Sequence, residues 1–376
     1  MTTTGKPRIC FVGLDNYPVL SKSARSKYIG GESVQQTLLA KAFTALGYEV
    51  SMVVQDYGQP DGEALDAIRI WKTFARGAGI PVIRFLHPRM TSLLRALAKA
   101  DADVYYQSCA GVVTGAVAWF CKKQGKRFVF RVASDSDCIR GRELIPNVRD
   151  RHIYYYGLKR AHLIAAQGQR QRRLLEEGHG LTSVVVNMVV EEPDPSEATR
   201  RDVDVLWVAN MRPLKRPELL LELASRSPGR RFVMIGGPLP GSESYFRSIE
   251  DRARGLSNIE FMGFLPYAQA NAYFSRARML VNTSETEGFP NTFLQAWIRG
   301  TPTLSFFDPD DLSAQRQIGF IARDQDDMGA LLDLILADQE RWGRASATVR
   351  GFAEEHYSPH EVAKRYHQLI TARVIG

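Results

Sequence analysis

The sequence predicts an α/β protein built as two doubly wound domains, each a largely parallel sheet with helices on both faces. Three observations carry this. Apolar strand-like runs alternate with helical patterns along the whole chain, the signature of successive βαβ units. The length of 376 residues suits two domains on a prior of roughly 150 residues each. Midway, Glu191-Glu192-Pro193-Asp194-Pro195-Ser196-Glu197 has no apolar periodicity, two prolines and an acidic character, which marks a linker.

In the first half, strands are expected at residues 8–13, 50–54, 103–107, 128–132, 162–166 and 183–187, with a helix at 33–46. In the second half they are expected at 203–209, 231–235, 259–262, 279–282 and 303–306. The domains then fall at residues 1–190 and 200–358 with a cleft between them. A last helix, from Pro359 to about residue 373 and carrying the chain's end at 359–376, is free to pack back on the first domain.

A composition of 44% apolar and 24% charged residues is that of a globular protein and excludes a largely disordered one. The longest apolar run, residues 110–121, is broken by Gly111, Thr114 and Gly115 and falls short of the ~20 residues that cross a bilayer. The N-terminus carries no apolar stretch resembling a signal peptide, so a cytosolic protein is expected. Cys10, Cys109, Cys121 and Cys138 lack Cys-x-x-Cys spacing and read as reduced, packed thiols; Asn282-Thr283-Ser284 is then no glycosylation acceptor. Charge is uneven: residues 1–190 hold 27 Lys and Arg against 15 Asp and Glu, residues 191–376 hold 22 against 26. A basic first half suits an anionic partner, whether membrane surface, phosphorylated acceptor or nucleic acid, or is simply a solvated face. Nucleic acid is disfavoured, because the cations are dispersed and no recognition module appears.

The second half holds the densest chemistry. Ser284-Glu285-Thr286-Glu287-Gly288-Phe289-Pro290-Asn291-Thr292-Phe293-Leu294-Gln295-Ala296-Trp297 follows one strand pattern and precedes another, so its helix is a βαβ crossover with Pro290 as first residue. The helix start lies at the carboxyl edge of the sheet, where open α/β folds bind ligands. Free amides near Asn291 and Thr292 suit anionic oxygens, and Glu287 suits sugar hydroxyls or a developing positive centre; its plainer role is a helix cap. Arg212-Pro213-Leu214-Lys215-Arg216-Pro217 places three cations directly after a strand, apt for a diphosphate or merely a solvated turn. Ile235-Gly236-Gly237-Pro238 exposes backbone after the next strand. In the first half, the long loop 14–31 contains Lys22, Arg25 and Lys27 and ends Gly30-Gly31 before a helix, either another anion-ready terminus or just a turn. It is not the Gly-x-Gly-x-x-Gly fingerprint of nicotinamide enzymes.

Taken in order, Gly30-Gly31, Arg212 to Pro217, Gly236-Gly237-Pro238, Gly263-Phe264, Ser284-x-x-Glu287-Gly288-Phe289-Pro290 and Gly300-x-Pro302 resemble the family-4 retaining glycosyltransferases of GT-B fold, densely over residues 200–310 and loosely before. The resemblance implies two Rossmann-like domains facing a cleft, the first binding the acceptor and the second a nucleotide-diphosphate sugar. It implies sugar transfer with retention and no required metal or other cofactor. By the same resemblance Lys215 meets the donor diphosphate, and Glu287 matches the first Glu of the family's Glu-x7-Glu motif, facing the donor sugar. Gly31, Asn210, Gly237, Phe264, Gly288, Phe289, Pro290, Asn291 and Thr292 complete the donor pocket. Three departures stand out. The motif's second Glu, which holds the ribose, is Gln295, an amide that still donates to and accepts from a diol. The arginine five residues before the lysine is Asn210, with Arg212 as a substitute cation. The acceptor-side histidine has no counterpart in Arg131-Val132-Ala133-Ser134-Asp135-Ser136-Asp137, which leaves Arg131, Asp135 and Asp137 as acceptor-side candidates.

The family's proposed chemistry is front-face attack, in which the leaving phosphate oxygen helps remove the acceptor proton, so the protein supplies positioning and electrostatics from Lys215, Arg212 and Glu287. Asp135-x-Asp137 has the form of a metal-binding Asp-x-Asp but sits in the wrong half for the donor; an acceptor-contacting loop or solvated turn is the reading kept. His356 and His360 straddle Pro359 and are structural. The segment 80–99 mixes apolar and basic residues, as a core-facing helix or a membrane-surface segment would. The expectation is a cytoplasmic glycosyltransferase, or one peripheral at the inner face of the plasma membrane, acting on a saccharide or lipid-linked acceptor in polysaccharide or glycolipid synthesis. The alternatives are a sugar-nucleotide epimerase or hydrolase on the same fold and a non-catalytic nucleotide-sugar-binding protein.

Overall fold

The computed structural model describes residues 7–21, 30–80, 84–197, 200–239, 241–285 and 287–372. Over these the chain divides into two compact units, one of residues 7–21, 30–189 and 359–372 and one of residues 190–358. Lys22, Arg25, Lys27, Tyr28 and Ile29 of the long first loop lie outside the described residues, as does Thr286.

The first unit holds β1 (Arg8–Val12), β2 (Glu49–Asp56), β3 (Ala64–Leu65), β4 (Ile68–Ala75), β5 (Val104–Ser108), β6 (Arg127–Arg131), β7 (Leu163–Ala166) and β8 (Val184–Val185). Their order is β3-β4-β2-β1-β5-β6-β7-β8, parallel throughout except where β3 turns back on β4. Ile9, Cys10, Phe11, Tyr105, Phe128 and Phe130 are fully buried, as expected of strands covered by helices on both faces. The helix expected at 33–46 is Gly31–Ala45, because Gly30 is the extended residue that precedes it. Helix Pro359–Thr371 belongs to this unit: Tyr48 Oη hydrogen-bonds His367 Nδ1 at 2.6 Å, and the Tyr106 and Phe43 rings flank Tyr366.

The second unit holds β9 (Val203–Val208), β10 (Phe232–Ile235), β11 (Ile259–Gly263), β12 (Ala277–Asn282), β13 (Thr303–Ser305) and β14 (Phe320–Ile321), in the order β11-β10-β9-β12-β13-β14 and wholly parallel. Its core gathers Val205, Trp207, Met234, Met279 and Leu304. The chain winds from β9 outward to β11 and then returns to the other side of β9 as β12. That reversal opens a crevice at the carboxyl ends of β9 and β12, the place where such sheets take ligands.

Three strands were not expected from the sequence. β4 alternates buried and exposed residues near the sheet edge instead of forming a continuous apolar run, while β3 and β14 are only two residues long. The segment 191–197 forms no strand or helix, but its Glu197 accepts from Arg299 Nε and Nη2, both at 2.7 Å, and so ties the acidic stretch to the second unit. No helix among the described residues is long and apolar enough to cross a membrane.

Candidate functional site

The site is built where β9 and β12 end side by side. Beyond β9 the chain passes through Asn210 to a short turn, Pro213–Lys215, and into helix Pro217–Arg226. The bend is made by Arg216, at φ 44° and ψ 52°, a left-handed conformation costly for a residue with a Cβ. Side-chain anchors hold it: Arg216 Nε donates to the Thr283 carbonyl at 2.8 Å, and its guanidinium lies 5.1 Å from the centre of the Phe306 ring.

Thr283 couples the two loops. Its hydroxyl accepts from Trp207 Nε1 at 2.9 Å and donates to the Lys215 carbonyl at 2.7 Å, so a side chain of β9, the loop after β12 and the cationic turn form one chain of bonds. A backbone bond from Glu285 N to the Leu214 carbonyl at 3.0 Å adds a second tie. Thr283 and Ser284 are buried, and such satisfied buried networks fix geometry because each broken link leaves an uncompensated polar atom.

On this frame Lys215 Nζ forms an ion pair with Glu287 Oε1, and Ser284 Oγ donates to the same oxygen at 2.7 Å. Both charged side chains are mostly shielded, with 12% and 16% of their surface exposed. A cation, a carboxylate and an orienting hydroxyl thus sit together at the crevice. Arg212, one turn away, is exposed.

The glycine turn after β10 packs alongside. A Cβ on Gly236 would lie 1.8 Å from the Ala209 carbonyl and one on Gly237 2.9 Å from Phe264 Cβ. Only glycine lets these backbones approach, and Met211 N reaches the Gly237 carbonyl at 2.9 Å. The loop that carries Asn210 thus packs on the Gly236-Gly237 turn, and Gly237 packs on Phe264.

Pro290 is not the first helical residue: it takes an extended conformation and caps the seven-residue helix Asn291–Trp297, with no side-chain cap bond. Glu287, whose plainer reading was a cap, bonds Lys215 and Ser284 instead. The helix is seated by buried Phe293, Leu294 and Trp297, and the Phe289 ring packs against Trp297 and Tyr357. This fixes Gly288, Phe289, Asn291 and Thr292 at the helix start. The Asn291 amide oxygen is buried without a partner among the described residues. Gln295, matched by resemblance to a ribose-holding position, donates to Asn271 Oδ1 at 2.8 Å.

The remaining candidates lie in the first unit. Gly31 opens helix Gly31–Ala45. Arg131 is 1% exposed, its guanidinium enclosed near Tyr106, Tyr366 and Glu32. Burial pushes the neighbouring Glu32 carboxyl up against the opposing pull of Arg131 and of Ser108, whose hydroxyl donates to it at 2.5 Å. Asp135 is spent on an ion pair with exposed Arg170 at 2.8 Å. Asp137 is buried, and desolvation raises it to about 6 in spite of backbone donors from Ala110, Ser134 and Ala133. The two carboxylates of Asp135-Ser136-Asp137 thus occupy different environments.

Sequence reasoning assigned no role to Thr283, Ser284, Trp207 or Glu32. Ser284 stood three residues before Glu287, in the loop already singled out, and was the one legible signal.

Residues 202–338 match the family described as glycosyl transferases group 1. Over 104 residues the chain is 29% identical to the D-inositol 3-phosphate glycosyltransferase of Mycobacteroides abscessus, a match spanning 27% of this chain and about a quarter (24%) of that relative. Among solved structures, Anabaena Alr3699/HepE in complex with UDP and glucose is similar at a TM-score of 0.74 and 14% identity, over 97% of this chain and 99% of that one. Sucrose-phosphate synthase from Thermosynechococcus elongatus is similar at 0.77 and 17%, over 97% and 98%. The catalytic domain of starch synthase IV from Arabidopsis thaliana, bound to ADP and acarbose, is similar at 0.68 and 14%, over 98% and 99%. These likenesses make the fold GT-B, two parallel-sheet α/β domains.

Proposed function

We propose that the protein is a retaining glycosyltransferase that moves a hexosyl group from a nucleotide-diphosphate sugar to a saccharide or lipid-linked acceptor. In this reading the second unit takes the donor and the first the acceptor, and no metal is required. The setting is polysaccharide or glycolipid synthesis, in the cytoplasm or peripherally at the inner face of the plasma membrane. The observation that carries the reading is the ion pair of Lys215 and Glu287 at the joined ends of β9 and β12, steadied by Ser284. Support comes also from the group 1 glycosyltransferase match over this unit and from fold relatives whose structures contain UDP with glucose, or ADP with acarbose.

The chemistry follows from the exchange of partners. An incoming diphosphate competes for Lys215, while Glu287 keeps its bond from Ser284 and turns its other oxygen to sugar hydroxyls. As the anomeric C–O bond to phosphate breaks, negative charge grows on the leaving oxygen beside Lys215 and Arg212. Positive charge grows at the anomeric carbon near Glu287. The acceptor oxygen bonds to that carbon on the same face, and its proton passes to the leaving phosphate. A fixed cation in a water-poor site contributes roughly 3 kcal/mol to such a step. Lys215→Ala should therefore lower kcat at least a hundredfold in a variant that is still folded at the assay temperature, with circular dichroism as the control. The test is acceptor-dependent release of nucleoside diphosphate with the product's anomeric configuration read by NMR. Turnover unchanged in Lys215→Ala, or an inverted product, overturns the assignment. Consumption of donor without acceptor would identify a hydrolase or epimerase, and nucleotide binding without consumption a non-catalytic protein.

A further inference from the structure

Four of the seven large hydrophobic side chains exposed among the described residues fall in two short segments of the first unit: Ile80 (65% exposed) and Leu86 (64%), then Leu144 (87%) and Val148 (62%). Isolated exposed apolar residues are ordinary; a set confined to two touching segments is not. The segments meet where the Arg149 guanidinium lies 3.9 Å from the centre of the Phe85 ring. The first is folded on itself, since a Cβ on Gly79 would fall 2.5 Å from Pro88 Cδ and 2.8 Å from Arg84 Cβ. Leu86 therefore projects from a packed turn, and Leu144 stands exposed between buried Glu143 and Ile145.

The charge around them is predominantly positive. Residues 67–100 hold seven Lys and Arg and not one Asp or Glu, although Lys72 and Lys99 are paired with Asp56 and Asp61 from the preceding stretch. In the second segment Arg140, Arg142 and Arg149 are exposed, whereas the acids are withdrawn: Glu143 is buried and bonded by Tyr155 Oη at 2.5 Å, and Asp150 is paired with Arg149. Projecting aliphatic side chains beside the exposed guanidinium groups of Arg140 and Arg142 match the lipid–water boundary of an anionic bilayer. Apolar tips enter the acyl region while arginines stay at the phosphates, with a charge term of about 1 kcal/mol per cation near the surface.

We propose that Ile80, residues 84–90 and residues 140–149 of the first unit form a docking surface for a membrane rich in anionic lipid. This deepens the peripheral placement given above and rests on that placement, not on the glycosyl-transfer chemistry. The surface differs from the core-facing helix expected at 80–99: the helix Thr91–Ala100 does bury Leu93, Ala96 and Leu97, and the docking elements are the turns beside it.

The test is cosedimentation of the full chain with vesicles of pure phosphatidylcholine or of phosphatidylcholine with 30% phosphatidylglycerol. We expect binding to the second only, weakened by 0.5 M NaCl. Leu86→Ser with Leu144→Ser should weaken it at least tenfold, and Arg140→Glu with Arg142→Glu at least twentyfold, at roughly fivefold for each charge removed. Both pairs lie on the surface, and unchanged melting confirms their fold. No binding, equal binding to both vesicles, or apolar substitutions without effect would overturn the proposal. So would displacement of the protein from vesicles by equimolar single-stranded RNA, which would assign the arginines to nucleic acid. Donor turnover with a soluble acceptor is measured on the same variants. Its absence alongside lipid binding would defeat the proposed reaction and leave the docking surface standing.

Discussion

Replacing Ser284 by alanine isolates the smallest part of the site that has a definite chemical duty. The hydroxyl is buried and donates to Glu287 Oε1 at 2.7 Å, the oxygen that also meets Lys215. A hydrogen bond to a charged group is worth about 1.5–3 kcal/mol, and here it is the link that survives when Lys215 turns to the donor phosphate. Its loss leaves Glu287 held by Lys215 alone, so the carboxylate follows the lysine and is misplaced once the donor binds. Taking about 2 kcal/mol, with 1.4 kcal/mol per factor of ten, kcat should fall roughly thirtyfold. Donor KM should rise by a smaller factor, because the diphosphate must now compete with a carboxylate that has no second partner. The assay is steady-state release of nucleoside diphosphate, with melting temperature as control. A kcat within threefold of wild type refutes the positioning role, and so does a loss confined to donor KM.

Three further substitutions probe the frame. Glu197→Ala strips the partner from Arg299, whose side chain is 2% exposed, and should cost about 3 kcal/mol, seen as a melting point lower by roughly 10 °C; an unchanged Tm would show that the pair contributes nothing. Burial pushes the Glu197 carboxyl up, but its bonds from Arg299 and Ser275 bring it below the usual range, so the wild-type advantage should be full at neutral pH and fade as pH falls below about 4. Asp137 works in the opposite sense: because its folded-state value is raised from 3.8 to about 6 by desolvation, its ionisation costs stability as pH rises through 6. The stability of Asp137→Asn relative to wild type should therefore improve by about 2 kcal/mol between pH 4 and pH 7.5 in urea titrations, and a flat difference would show that Asp137 titrates normally. Gly236→Ala drives a methyl group into the Ala209 carbonyl and should destabilise the second unit by about 2 kcal/mol while raising donor KM; an unaltered Tm and KM would mean the two loops separate freely.

The fold class was legible because buried parallel strands write themselves as continuous apolar runs, and β1, β5, β9 and β12 read that way with errors of only one or two residues at their ends. β4 escaped for the complementary reason: Ile68, Ile70 and Trp71 are interleaved with Arg69 and Lys72 near the edge of the sheet, where one face is wet. The catalytic candidates Lys215 and Glu287 were legible one at a time, each as a polar loop after a strand. Their contact was not, since it depends on β9 and β12 being neighbours although residues 209–276 and two other strands intervene. The surroundings of Arg131 and Asp135 were hidden for the same reason. A charged residue after a strand looks the same in sequence whether it faces a crevice, is enclosed beneath Tyr366, or is consumed by Arg170.

What the structure adds to the list of candidate residues is an order of dependence. Trp207 can hold Thr283 only because β9 and β12 are adjacent, and Thr283 can hold the Lys215 carbonyl only because Arg216 accepts a left-handed conformation. Ser284 then places Glu287, and Glu287 meets Lys215. Each link joins a different pair of segments, so a defect early in the series should reach the carboxylate without any contact to it. Trp207→Phe, which keeps the buried ring but removes the Nε1 donor, leaves the Thr283 hydroxyl free to leave the Lys215 carbonyl. Activity loss comparable to that of Ser284→Ala, with little change in Tm, would show that the series is coupled. An active Trp207→Phe protein would confine the catalytic geometry to Ser284 and the two charges.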